Sequence, residues 1–157
     1  MELLSNSPLW LAFFAIFFAQ FIKIPIYWMV TRELNWSLFT STGGMPSSHS
    51  AAVTALTTAV AFEHGTGSTL FAVAAVFAVI VMFDATGVRF QAGQQAIIIN
   101  QLRADVQLFL KESRNWSQKK EEEKIIELKT LLGHLPSEVF MGALTGILIS
   151  VTFYLVN

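Results

Sequence analysis

Two short stretches concentrate the side chains that could do chemistry. In Gly43-Gly44-Met45-Pro46-Ser47-Ser48-His49-Ser50-Ala51, the paired glycines let backbone approach a ligand closely, and Pro46 fixes the chain ahead of a helix. Ser47 or Ser48 can cap that helix. A helix start offers unpaired N–H donors and the positive end of the dipole, which together favour an anion. His49 would sit in the first turn, placed to donate or accept a proton at that anion. The second stretch, Gly133-His134-Leu135-Pro136-Ser137-Glu138-Val139, again carries a proline where a helix would start. Glu138 follows His134 by four residues, close enough to hold one ring nitrogen and leave the other free as a nucleophile or base.

Charged residues inside apolar sequence mark further candidates. Lys23 and Asp84 interrupt hydrophobic segments, where an ionisable group is costly and points to a function. The two could also simply pair with each other. Arg89 closes the run Asp84-Ala85-Thr86-Gly87-Val88-Arg89, and a guanidinium suits phosphate oxygens through bidentate contacts or can snorkel at a membrane face. The chain contains no cysteine, which rules out disulfides and thiolate chemistry, and its motifs have no carboxylate cluster of the kind that holds magnesium. Neither a metal nor a cofactor is expected. The net charge of −1 argues against a nucleic-acid partner, because phosphate-backbone binding calls for a basic excess.

The elements that must position these residues are membrane helices. Of 157 residues 54% are hydrophobic and 13% charged, about half the charged share of a soluble domain, and the mean hydropathy is +0.55. Apolar segments run from Leu9 to Val30, from about Ser48 to Phe62, from about Thr69 to Val88, and from about Val139 to Val156. The first, third and fourth reach the roughly 20 residues a spanning helix needs, and the second is short. Ser7 and Pro8 read as the start of the first helix, with proline at its first position, and the segment reads as a retained span with no basic stretch before it. The fold expected is therefore all-α: one domain over 1–157, a polytopic bundle of about four transmembrane helices. An amphipathic helical insertion at about 90–132 would sit on one face.

Within that insertion, Ala96 to Leu110 sets Ile98, Leu102, Val106 and Phe109 at helical spacing. The block from Lys119 to Leu132 mixes acids and bases and reads as a solvated helix. With four crossings, the 31–48 loop, the end of the third span and the start of the fourth share one face, and all ten Lys and Arg fall in or beside it. The positive-inside rule makes that face cytoplasmic and both termini external.

At this point the residues resemble the type 2 phosphatidic acid phosphatases and their haloperoxidase relatives, and in particular a divergent, YuiD-like bacterial branch. The segments that carry the resemblance are Lys23, Gly43 to Ala51, Asp84 to Arg89, and Gly133 to Gly142, spread over nearly the whole chain. The resemblance implies that His134 is the nucleophile, oriented by Glu138 where the superfamily has aspartate, and that His49 is the general acid. It implies phosphate binding by Lys23, Arg89, Gly44, Ser47, Ser48 and nearby backbone N–H groups. In the superfamily an arginine stands a few residues before the nucleophile, whereas Arg89 precedes His134 by 45 residues; 90–132 is read as inserted between them. Position 30, where an arginine is called for, is Val30, and Arg32 is a substitute. The implied activity is a metal-independent lipid phosphate or diphosphate phosphatase in a bacterial cell membrane. Its partners would be lipid substrate and membrane lipids, with a homodimer supplying missing walls. The alternative is a catalytically altered membrane protein that binds an anionic head group or a protein partner; a small transporter fits less well because the charges gather at one face.

Overall fold

The computed structural model describes residues 2–41, 43–113 and 133–156. Among these are five α-helices: α1 (Ser7–Thr31), α2 (Ser48–His64), α3 (Thr69–Thr86), α4 (Val88–Ser113) and α5 (Pro136–Val156), with short 3-10 turns at Glu2–Ser5 and Trp36–Thr40. The architecture is all-helical, as expected. Residues 114–132, which hold the whole Lys119–Leu132 block, lie outside the description, as does the side chain of Phe109.

The starts of α1, α2 and α3 are set by short polar side chains. Asn6, not Ser7, caps α1, its Oδ1 accepting from Leu9 N–H at 3.0 Å, which places Pro8 second in the helix. Ser47 caps α2 and Ser68 caps α3, while Pro136 opens α5. Gly65, at φ +78, ends α2 in the left-handed region that an L side chain resists.

α2 lies at the centre, packed by α1, α3 and α5. Its ends fix the directions of the others. At its start, Ser47 N–H donates to the Glu138 carbonyl at 2.9 Å. At its end, Phe62 stacks on Tyr154 and Glu63 accepts from the Tyr154 hydroxyl at 2.6 Å. α2 and α5 are therefore parallel and in step over their whole length. The return through 65–68 makes α3 antiparallel to α2 and brings its last turn back to the level of Ser47.

The seam between α2 and α5 is built from small residues. A Cβ on Gly142 would fall 2.3 Å from the Ser47 carbonyl oxygen, and one on Gly146 would fall 2.1 Å from that of Ala51. Glycine is the sole residue that permits so close an approach. Ser150, a further turn along, donates to the Ala55 carbonyl at 2.8 Å, and Thr54 donates to that of Ala143 at 3.0 Å. Such interhelical bonds contribute about 0.6 kcal/mol each in a membrane setting. On the other side Ala15 and Ala19 of α1 meet Ala51 and Ala55 of α2 in a fully buried alanine core.

Among the described residues, three helical stretches are long and apolar enough to cross a membrane: Ser7–Thr31, Thr69–Gln107 and Pro136–Val156. α2, with 17 residues, is about 25 Å long, somewhat under a ~30 Å hydrocarbon core, yet it runs from one end of the bundle to the other. Its lower apolarity follows from its place, since it faces protein on most sides. α3 is the opposite case. Leu70, Val73, Val76, Phe77, Ile80 and Phe83 are exposed on it, a surface that only an apolar solvent would accept.

The third apolar segment ends at Thr86, earlier than the Val88 expected. Gly87 breaks the helix there, and α4 starts at once, ahead of the Ala96 at which an amphipathic helix was expected. Ile98, Leu102 and Val106 do form one exposed stripe along it.

Candidate functional site

His134 sits in the short connection before α5, 1% exposed. Its Nδ1 meets Glu138 Oε2 at 2.9 Å, and the same oxygen accepts from Leu135 N–H at 3.2 Å. A carboxylate that accepts from Nδ1–H puts the proton on that nitrogen and leaves the lone pair on Nε2. Nε2 is buried and has no partner among the described residues. A buried, oriented and unpaired imidazole nitrogen is what a nucleophile or base requires.

The backbone around His134 closes a long sequence gap. Its N–H donates to the Ala85 carbonyl at 3.0 Å, which ties it to the end of α3. Gly133, at φ +87, lies directly on the Arg89–Phe90 backbone; a Cβ there would stand 2.2 Å from Phe90 N. Gly133 thus sits against the backbone that immediately follows Arg89. Arg89 and His134 are neighbours in space despite the 45 residues between them.

His49 faces His134 from the first turn of α2. The ring centroids are 6.4 Å apart and the planes are inclined at 62°. His49 is also within electrostatic reach of Arg89, Lys23 and Asp84. The helix start beside it differs in one respect from the expectation. Ser47 is fully engaged: its hydroxyl accepts from Ser50 N–H and Ser50 Oγ–H, and its own N–H goes to the Glu138 carbonyl. The open donors are the amides of Ser48 and His49, which have no partner among the described residues. Ser48 is itself buried as the first residue of α2.

Lys23 reaches the same level from α1 and is 2% exposed. It donates to the Gly43 carbonyl at 3.0 Å and more weakly to that of Ser41 at 3.5 Å, so it fastens the loop that leads into α2. Its charge also interacts with Glu138. Gly44 adopts φ +86 against the Lys23 stem. The pairing of Lys23 with Asp84 is not formed. Asp84 instead accepts from Arg89 Nε at 2.6 Å, because Gly87 turns α4 so that Arg89 folds back onto the last turn of α3. That pair is partly exposed, and the terminal amino groups of Arg89 have no partner among the described residues. Arg32 lies apart. It ends α1 at φ 61 with its guanidinium 5.7 Å from the Trp28 ring centroid, and it makes no hydrogen bond to the other site residues.

Side chains from α1, α2, the α3–α4 joint and the start of α5 therefore gather at one end of the bundle: Lys23, His49, Arg89, His134 and Glu138. Three supports were not read from the sequence. Gln20, one turn below Lys23, donates to the Ser41 carbonyl at 3.4 Å; Gly146 and Ser150 hold α5 in register with α2. The spacing Gly142, Gly146, Ser150, small residues every fourth position in an apolar helix, was the available signal for the last two.

The arrangement is consistent with what the chain is similar to. The model of the divergent PAP2 family matches residues 4–149. A Bacillus subtilis (strain 168) protein described as "Uncharacterized membrane protein YuiD" is 61% identical over 150 residues, covering 96% of this chain and 95% of that one. No solved structure matches significantly.

Proposed function

The chain belongs to the divergent PAP2 family, and from that premise we propose that it is a membrane-embedded phosphatase for a lipid phosphate or diphosphate, working through a phosphohistidine. The observation that carries this reading is the unpaired, buried Nε2 of His134, held by Glu138 and faced by His49. Nε2 attacks phosphorus in line with the leaving oxygen, and Glu138 stabilises the positive charge that develops on the ring. His49 gives its proton to the departing lipid oxygen as the phosphorus–oxygen bond breaks. Water then attacks the phosphohistidine, His49 takes up a proton, and inorganic phosphate leaves with His134 restored. The amides of Ser48 and His49, the free amino groups of Arg89, and Lys23 neutralise the equatorial oxygens. Lys23 does this through the one ammonium proton that the loop carbonyls leave over.

A lipid is the substrate because the site lies at the end of apolar helices, where a head group can enter while its tail stays in the bilayer. The Lys and Arg of the sequence, which fall in or beside the segments that build the site, support a cytoplasmic side for it by the positive-inside rule. The test is phosphate release by the purified protein from a panel of lipid mono- and diphosphates, with acid quenching to trap phosphohistidine. His134→Ala should abolish both release and trapping. Failure of the intact protein to release phosphate from any member would overturn the phosphatase reading and leave head-group binding without turnover.

A further inference from the structure

α1 contributes Lys23 to the site and α5 contributes Glu138, with His134 just ahead of it, and below the site the two helices part. Both pack on α2 through small residues, α1 through Ala15 and Ala19 and α5 through Gly142, Gly146 and Ser150. Their larger side chains are thereby pushed outward, and between them runs an apolar groove of about 850 Å³. Its walls include Phe14 and Phe18 of α1 and Thr145, Leu148, Ile149 and Phe153 of α5. The helices are antiparallel here, so Phe18 and Thr145 form the end nearest the site and Trp10 and Phe153 the far end. Thr145 stands two turns below Glu138, about 10 Å along the axis. The groove therefore begins one short linker below the place where phosphate would sit, and it runs from there into the depth of the bilayer.

We propose that this α1–α5 groove receives a hydrocarbon tail of the lipid substrate. The proposal rests on the phosphatase reading for the head group and adds to it the path of the tail. A phosphate held by Lys23 of α1 and by His134 just ahead of α5 sits above the two helices that form the groove, so the tail of the same molecule, once past Gln20 and the first two turns of α5, meets the groove at Phe18 and Thr145. A second groove, among α1, α2 and α3, lies beside Glu63 and His64 at the opposite end of the bundle, farther from the site. The geometry selects a long-chain monoester or diphosphate over a small soluble phosphate, because a ligand without a tail forfeits this whole contact.

The test uses the full chain in phosphatidylcholine nanodiscs with two probes carrying a photoreactive group midway along one acyl chain: a phosphatidic acid and a phosphatidylcholine. The phosphatidic acid should label Trp10–Phe18 and Thr145–Phe153 several-fold more than the phosphatidylcholine does, and Leu148→Trp, which fills the groove from an exposed position, should remove that excess. Phosphate release measured in the same discs should show KM for a long-chain substrate raised about tenfold by Leu148→Trp, the scale of a few lost methylene contacts, with a short-chain soluble ester hydrolysed as before. Equal labelling by the two lipids would mean bulk lipid contact only and would overturn the proposal, as would labelling confined to α3. Selective labelling without any phosphate release would instead sink the phosphatase reading and keep the groove as the tail site of a bound lipid.

Discussion

At His134 a single carboxylate oxygen decides which ring nitrogen is free. Glu138 Oε2 takes Nδ1 and also the Leu135 amide, so the carboxylate is itself held in place and cannot swing to Nε2. The four-residue spacing made this pair legible in the sequence, and so was the placement of His49 in a first helical turn. The engagement of Ser47 was not legible, because the acceptor of its N–H comes from α5. The opposed histidines yield a prediction at this scale. His49→Ala should slow hydrolysis of an alkyl lipid phosphate by on the order of a hundredfold or more, yet slow an aryl phosphate far less, since its leaving oxygen needs little protonation. Comparing kcat/KM for the two substrates measures this, and an equal loss on both would remove the general-acid role.

At the scale of elements, glycines set which helices can meet. Gly146 has no room for a methyl group against Ala51 and Thr54, whereas Gly67 in the outer turn faces open space. Gly146→Ala should lower stability by about 1–3 kcal/mol through overpacking, seen as a lower midpoint in thermal unfolding in detergent, while Gly67→Ala should change it little. Gly133 plays the corresponding part for the site. Gly133→Ala imposes both a left-handed φ and a collision with the Arg89–Phe90 backbone. It should reduce phosphate release nearly as far as His134→Ala does, although every reacting group remains. Normal activity in that variant would mean that the contact of Gly133 with the Arg89–Phe90 backbone does not position His134.

For the whole molecule, parity is the consequence that matters. α2 is too short and too mixed in composition to pass as a span by hydropathy, but its contacts at both ends carry it across the bundle. The count of crossings, and with it the gathering of Lys23, His49, Arg89, His134 and Glu138 at one end, depends on this helix. Because the chain has no cysteine, single cysteines report topology directly. In intact cells, an impermeant thiol reagent should label a cysteine at Gly67 and spare one at Ser37, with the reverse in inverted vesicles. Labelling of both positions from one side would remove the α2 crossing and the common face.

The sequence by itself determined the membrane-embedded helices, the helix starts at Pro46–Ser48 and Pro136, and the identity of the two histidines, since apolar runs, prolines, caps and i,i+4 partners are all local signals. Tertiary structure decided everything that depends on non-local approach. It separated Lys23 from Asp84 and gave Lys23 the loop carbonyls and Asp84 the guanidinium of Arg89. It brought Arg89 to His134 by laying Gly133 on the backbone beside it. Sequence spacing cannot carry such information, because it turns on how closely two backbones can pack, and here that is fixed by missing side chains at Gly133, Gly142 and Gly146.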